Sequence, residues 1–330
     1  MKTLTNPTPC HFERSGIALK GNSTDSRNLL FHPQKLDCRL LRPQSYCLLL
    51  IAFILSLCAF AGAQSKSAPP ASSPWILTWS DEFNGPNGSS VDASKWVFDV
   101  GGNGWGNNEL EYYTARITNA YQQDGNLVIK VLQEKYTGAD GVTRNYTSAR
   151  LTTLGKFSQA YGRFEARMKI PSGQGMWPAF WMMGDDIDKV QWPACGEIDV
   201  MENIGKEPDI VHGSIHGPGF SDGDLEAHFR LPPGQALADD FHVYAVEWEP
   251  DAVRFYLDDH LYVTRTHADM RPGWKWSFDH PFFLLLNVAV GGDWPGSPDA
   301  TTVFPQTMLV DYVRVYRRAG SSGNAASTPR

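Results

Sequence analysis

Apolar and polar residues alternate along much of this chain, and no stretch carries a long helical period. Between positions 163 and 170, Arg163, Glu165, Arg167 and Lys169 alternate with Phe164, Ala166, Met168 and Ile170, the pattern of a strand with one wet face and one buried face. Other apolar runs have strand length: 75–79, 127–133, 243–248, 253–257, 261–265, 282–290 and 309–316. Gly and Pro punctuate the gaps, as at Asp140-Gly141, Pro171-Ser172-Gly173, Pro218-Gly219 and Pro272-Gly273. The pattern predicts one all-β domain over residues 75–318, and two packed antiparallel sheets are the usual way to bury such strands.

One stretch departs from simple alternation in an informative way. In Gly196-Glu197-Ile198-Asp199-Val200-Met201-Glu202, Glu197 and Asp199 share a face, but strict alternation would place Met201 beside them and turn Glu202 into the core. Burying an unpaired carboxylate is costly. A β-bulge near Val200 and Met201 removes the conflict, because two residues then count as one and Glu202 rejoins the other two acids. Glu197 and Glu202 would then stand four strand steps apart, roughly 13 Å between α-carbons. If each side chain leans ~4 Å towards the other, the carboxyl groups come within about 5 Å, the separation of a retaining glycosidase pair.

The ends of the chain read differently from its middle. Arg39 and Arg42 precede an apolar run at 47–61, and Ala61-Gly62-Ala63 offers a small-residue cleavage site, so residues 1–63 are predicted to be a leader containing a secretory signal peptide. Residues 64–74, rich in Ser, Ala and Pro, predict a flexible linker, and 319–330 predict a disordered tail. Four of the five cysteines lie in the leader; only Cys195 remains beyond it, so the exported chain would form no internal disulfide and Cys195 is expected to be a buried structural thiol. The leader holds seven Lys or Arg against three Asp or Glu, which turns the net charge of −7 into roughly −11 for the remainder. Nucleic acid and anionic membranes are poor partners for that surface, whereas a neutral polysaccharide is indifferent to it. All eleven tryptophans lie beyond position 74, which suits a domain offering flat apolar surfaces to sugar rings.

The Glu-x-Asp-x-x-Glu run, with Trp-Pro-Ala-Phe-Trp at 177–181 just upstream, resembles glycoside hydrolase family 16 and its laminarinase-like branch. The resemblance spans roughly 75–317 and implies a jelly-roll β-sandwich with a concave substrate cleft. It implies Glu197 as nucleophile and Glu202 as general acid/base, with Asp199 between them tuning the pair. Trp177 and Trp181, four apart and so on one strand face, become candidate sugar platforms. The stretch 104–114 resembles a cleft-lining laminarinase loop, with Trp105, Asn108 and Glu109 as candidates, and Ser-Ile-His-Gly at 214–217 makes His216 a cleft residue. Trp294, in a Gly-rich loop at 291–296, is expected on the opposite rim. His212 shares a strand face with His216, but no third ligand falls at a zinc-like spacing from that pair. The resemblance also implies one structural calcium drawing on Glu82, Gly125 and Asp311, with no cofactor needed for the chemistry.

These features lead to the expectation of a secreted or periplasmic monomer that hydrolyses β-1,3 bonds of laminarin-like or mixed-linkage β-glucan by double displacement. An agarase or carrageenase is the alternative within the same family, and a non-catalytic β-glucan-binding protein the alternative outside catalysis. The presence of all three acids favours an enzyme, and the loop at 104–114 favours glucan.

Overall fold

A computed structural model of the protein describes residues 74–221 and 223–320. The predicted leader and nearly all of the linker lie outside the described residues, as does the tail beyond residue 320. The described chain forms seventeen strands: β1 (Trp75–Asp81), β2 (Val97–Asp99), β3 (Glu111–Tyr113), β4 (Ala120–Gln123), β5 (Asn126–Thr137), β6 (Thr143–Ser148), β7 (Arg150–Thr152), β8 (Gly162–Lys169), β9 (Met176–Gly184), β10 (Glu197–Glu202), β11 (Ile210–His216), β12 (Ala227–Arg230), β13 (His242–Glu249), β14 (Ala252–Leu257), β15 (His260–Thr266), β16 (Phe282–Val290) and β17 (Gln306–Arg318). A single helical turn, Ile187–Val190, sits between β9 and β10.

The strands form two sheets. One has ten strands, in the order β15-β14-β13-β8-β17-β5-β6-β3, with β1 added against β17 and β4 against β5; the other has seven, in the order β12-β11-β10-β9-β16-β7-β2. The expected all-β sandwich is therefore present. One pair departs from the antiparallel expectation: β3 runs parallel to β6, with Glu111 opposite Tyr146. Its direction is set by the preceding loop, which Leu110 N–H ties to Val290 O and which Gly101 and Tyr113 close by exchanging two backbone hydrogen bonds.

Period-two alternation drives the packing. On β8, Phe164, Ala166 and Met168 are fully buried in the core, while Arg163, Arg167 and Lys169 keep partial exposure on the outer face. Glu165 departs from the simple pattern: it is buried, and accepts hydrogen bonds from Arg163 Nε at 2.7 Å and the Tyr316 hydroxyl at 3.1 Å. Trp248 is a large fully buried side chain; its ring meets Phe282 at 5.0 Å and its Nε1–H donates to Phe278 O, so its polar atom is satisfied. On the opposite face of the seven-stranded sheet, Ala179, Trp181, Met183, Cys195, Phe283 and Leu285 form a second small apolar cluster. That outer face carries the cleft.

Candidate active site

β10 lies between β9 and β11, and the two registers show where alternation breaks. Against β9, Asp199 faces Trp181 and Met201 faces Phe180, so two residues of β10 oppose one. Against β11, Asp199 pairs Ser214 and Glu202 pairs His212, three steps against two. The extra residue falls at Val200 and Met201, both wholly buried in the core, and Glu202 turns back to the face that holds Glu197 and Asp199. The β9 partners of Glu197 and Glu202 are Met183 and Ala179, four residues apart, so the glutamates are separated by four strand steps. Gly196 makes the entry into β10 possible. Its φ is +74°, and a Cβ there would stand 2.8 Å from Phe282 Cζ and 2.8 Å from Ser277 O.

The three acids sit in a cleft of about 890 Å³. Glu197 accepts a hydrogen bond from Trp192 Nε1 at 2.5 Å, and Glu202 accepts one from Trp177 Nε1 at 2.9 Å. Asp199 is 3 % exposed, and its Oδ2 lies 2.9 Å from His216 Nε2. At that distance a protonated His216 and an ionised Asp199 form a charged pair. Burial, and then the neighbouring Glu197, push Asp199 up to about 7. Burial, and then Asp199, push Glu202 up to about 8, although a rim of Glu202 still reaches the cleft. For His216, burial alone would lower the pKa; the Asp199 carboxylate overrides it and, with Glu197 and Glu202, raises the imidazole to about 10. At neutral pH Glu202 thus holds a proton and His216 a positive charge, the first a proton source and the second a counter-charge for the acid row.

The candidate sugar-binding residues are placed unequally. Trp105, Glu109, Trp177, Trp181, His216 and Trp294 all line the cleft. Trp181 is only 9 % exposed; the Arg150 guanidinium lies over its ring at 4.8 Å and over Trp105 at 4.7 Å, and its Nε1–H donates to Asn287 Oδ1 at 2.7 Å. It acts more as floor than as platform. Trp177 and Trp294 meet edge to face at 5.4 Å. Glu109 is buried and accepts from Tyr113 OH and Asn107 Nδ2, so its carboxylate holds the wall together. Two residues on, burial and then Glu109 push Glu111 well above the usual carboxylate range, while Val290 N–H donates to it at 2.6 Å.

Asn108 is not among the residues lining the cleft; with a φ of +57° its Nδ2 donates to both Asp293 carboxylate oxygens, so in this structure it bridges the two rims rather than facing the substrate path. Asn103 and Asn107 line the cleft instead. Sequence reasoning also missed Arg150, Trp192, Glu226 and Asn287, which reach the cleft from β7, the loop before β10, the approach to β12, and β16. Cys195 is fully buried, and burial, followed by Asp186 and Glu197, pushes its thiol up to about 11, which keeps it protonated and unreactive at neutral pH.

By register, the three expected calcium positions fall near one corner of the ten-stranded sheet: Glu82 follows Asp81, which pairs Val313, Gly125 stands two residues before Leu127, which pairs Val310, and Asp311 follows Val310. The Glu82 carboxylate accepts both guanidinium N–H groups of Arg314, at 2.9 and 2.8 Å, and Asp311 Oδ2 accepts from Arg167 Nη1 at 2.9 Å. Glu82 would therefore offer a cation its main-chain oxygen rather than its carboxylate, and an all-oxygen set of this kind fits Ca²⁺.

The relatives that this chain resembles share one family. Residues 107–314 match the family model for glycosyl hydrolases family 16. A β-glucanase of Rhodothermus marinus is 45 % identical over 286 residues, covering 81 % of this chain and 93 % of that protein. The laminarinase catalytic domain of Thermotoga maritima superposes with a TM-score of 0.70 at 47 % identity, covering 74 % of this chain and 98 % of that one. The endo-β-1,3-glucanase of Pyrococcus furiosus gives a TM-score of 0.71 at 46 % identity, covering 74 % and 95 % respectively. On the strength of the matched residues, the shared sandwich and the bulged acid strand in its cleft, this chain belongs to glycosyl hydrolase family 16.

Proposed function

We propose that the protein is an endo-β-1,3-glucanase that cleaves laminarin-like glucan with retention of configuration. The observation that carries this reading is the bulge at Val200 and Met201, which puts Glu197 and Glu202 on one cleft face four strand steps apart. At ~3.3 Å per step, with both side chains leaning inward, the carboxyls reach the ~5 Å spacing that leaves no room for an attacking water. Glu197 attacks the anomeric carbon, and Glu202, protonated near neutral pH, donates to the leaving oxygen and then deprotonates the incoming water. Asp199 and His216 tune that proton. The relatives named a β-glucanase, a laminarinase and an endo-β-1,3-glucanase support glucan over agarose or carrageenan.

A reducing-sugar assay on laminarin, lichenan, agarose and carrageenan, paired with NMR of the first product, tests the reading. Laminarin is the expected best substrate and the β-anomer the expected first product; an initial α-anomer overturns retention. Glu197→Ala should lower kcat by more than 10²-fold, and azide should restore part of it.

Export belongs to the same proposal: the apolar run at 47–61 and Ala61-Gly62-Ala63 support release of a monomer beginning near Gln64, to be checked by N-terminal sequencing of exported protein. Calcium at the convex corner would be held by Asp311 with the main-chain oxygens of Glu82 and Gly125 and would support stability alone; EDTA should then lower Tm without changing kcat.

A further inference from the structure

Next to the acid row, outside the proposed chemistry, two histidines and a glutamate come together. β11 and β12 pair so that His212 faces His228 across the strands, their rings 5.9 Å apart, and Glu226 stands just before β12. His212 Nδ1 is 2.6 Å from Glu226 Oε1, and His228 Nδ1 is 3.8 Å from the same oxygen. All three donor atoms lie within 4.8 Å of one another. On the other side of the buried His212 ring, Nε2 is 3.1 Å from Glu207 Oε2.

A neutral imidazole has one N–H and one lone pair, yet both nitrogens of His212 face carboxylates. With the proton on Nε2 towards Glu207, the Nδ1 lone pair confronts Glu226 at 2.6 Å, which is repulsive unless a positive charge stands between them. A second proton would supply one charge; a metal ion would supply another. His228 favours the metal, because a doubly protonated His212 needs nothing from it, whereas a metal needs a third donor and His228 Nδ1 is turned to the same oxygen. A carboxylate behind a ligating imidazole, as Glu207 stands here, is the usual outer support of a histidine–metal bond.

We propose that His212, Glu226 and His228 form a site for a divalent transition metal ion of the zinc class, with Glu207 orienting His212. In a tetrahedral site with ligand bonds of 2.0–2.2 Å, donor atoms stand about 3.4 Å apart. The observed 2.6 and 3.8 Å bracket that value, so small side-chain shifts complete the set. Two imidazoles and a carboxylate suit zinc and copper better than calcium or magnesium. Glu226 lines the cleft and Trp294 meets His212 edge-on at 4.9 Å, so a bound ion would stand at the edge of the substrate path.

The full chain, stripped with EDTA, is titrated with ZnCl₂ by calorimetry beside the variants His228→Asn and Glu226→Gln. The wild type should take up one equivalent more than either variant; ions held by thiols elsewhere in the chain are common to all three proteins and cancel. With Cu²⁺ at that site, electron paramagnetic resonance should show two coupled imidazole nitrogens in the wild type and one in His228→Asn. His228 is largely exposed, so His228→Asn should keep its fold and its laminarin hydrolysis in metal-free buffer. Equal zinc stoichiometry in the three proteins, or an unchanged nitrogen pattern in His228→Asn, overturns the proposal.

Discussion

Replacing Asp199 by Asn tests how the acid row sets its own protonation. Asp199 lies between the two glutamates, is almost wholly buried, and after burial itself is the main influence raising Glu202. The elevation of Glu202 from 4.5 to about 8 corresponds to roughly 5 kcal/mol in favour of its protonated form, at 1.36 kcal/mol per unit. Two strand steps separate Asp199 from Glu202 once the bulge is allowed for. At about 6 Å and an effective dielectric constant near 20, an ionised Asp199 accounts for about 3 kcal/mol of that, or roughly two units. Part of this is offset, because Asp199 also sustains the charge on His216, and a charged His216 lowers Glu202. The net expectation for Asp199→Asn is a fall of about one unit in the alkaline limb of kcat/KM for laminarin, since the general acid would lose its proton at lower pH. The limb belongs to the coupled group rather than to Glu202 alone, so the whole profile from pH 4 to 10 is to be compared. An alkaline limb that stays in place or moves upward would refute the electrostatic role given to Asp199.

Three further outcomes follow from the same geometry. Glu202 binds its proton more tightly folded than unfolded, so its contribution to stability is full below about pH 4.5 and is lost as pH rises towards 8; Tm measured across that window should fall less steeply in Glu202→Gln than in the wild type. Trp177→Phe removes the N–H that favours ionised Glu202, so the alkaline limb should move up, with a loss of about 1.5–3 kcal/mol in binding of the ionised form; a downward shift contradicts the role of that bond. Deleting Met201 restores strict alternation and turns Glu202 towards the core, so laminarin hydrolysis should vanish and Tm should drop; a fully active deletion would show that the bulge does not set the acid row.

Much of this protein was decided by local rules. The period-two pattern of 163–170, the strand runs elsewhere and the break in alternation at Val200 and Met201 are set by neighbours a few residues apart, because a strand must turn its apolar side chains to one face wherever it sits. Hence the all-β sandwich, the bulge and the shared face of Glu197, Asp199 and Glu202 could be read before any partner strand was known. The shortest strands, such as β2, β3 and β7, carried no such signal, since three residues cannot show a period. What only the tertiary structure decided is which distant segments meet. Arg150 between Trp105 and Trp181, Arg314 on the Glu82 carboxylate, and His228 opposite His212 all arise from sheet order and register, which spacing along the chain does not encode. The same holds within the loop at 104–114, where a left-handed backbone turns Asn108 out to Asp293 and leaves Asn107 to the cleft, a choice made by the closing contacts with β16 and its following loop rather than by the residue types.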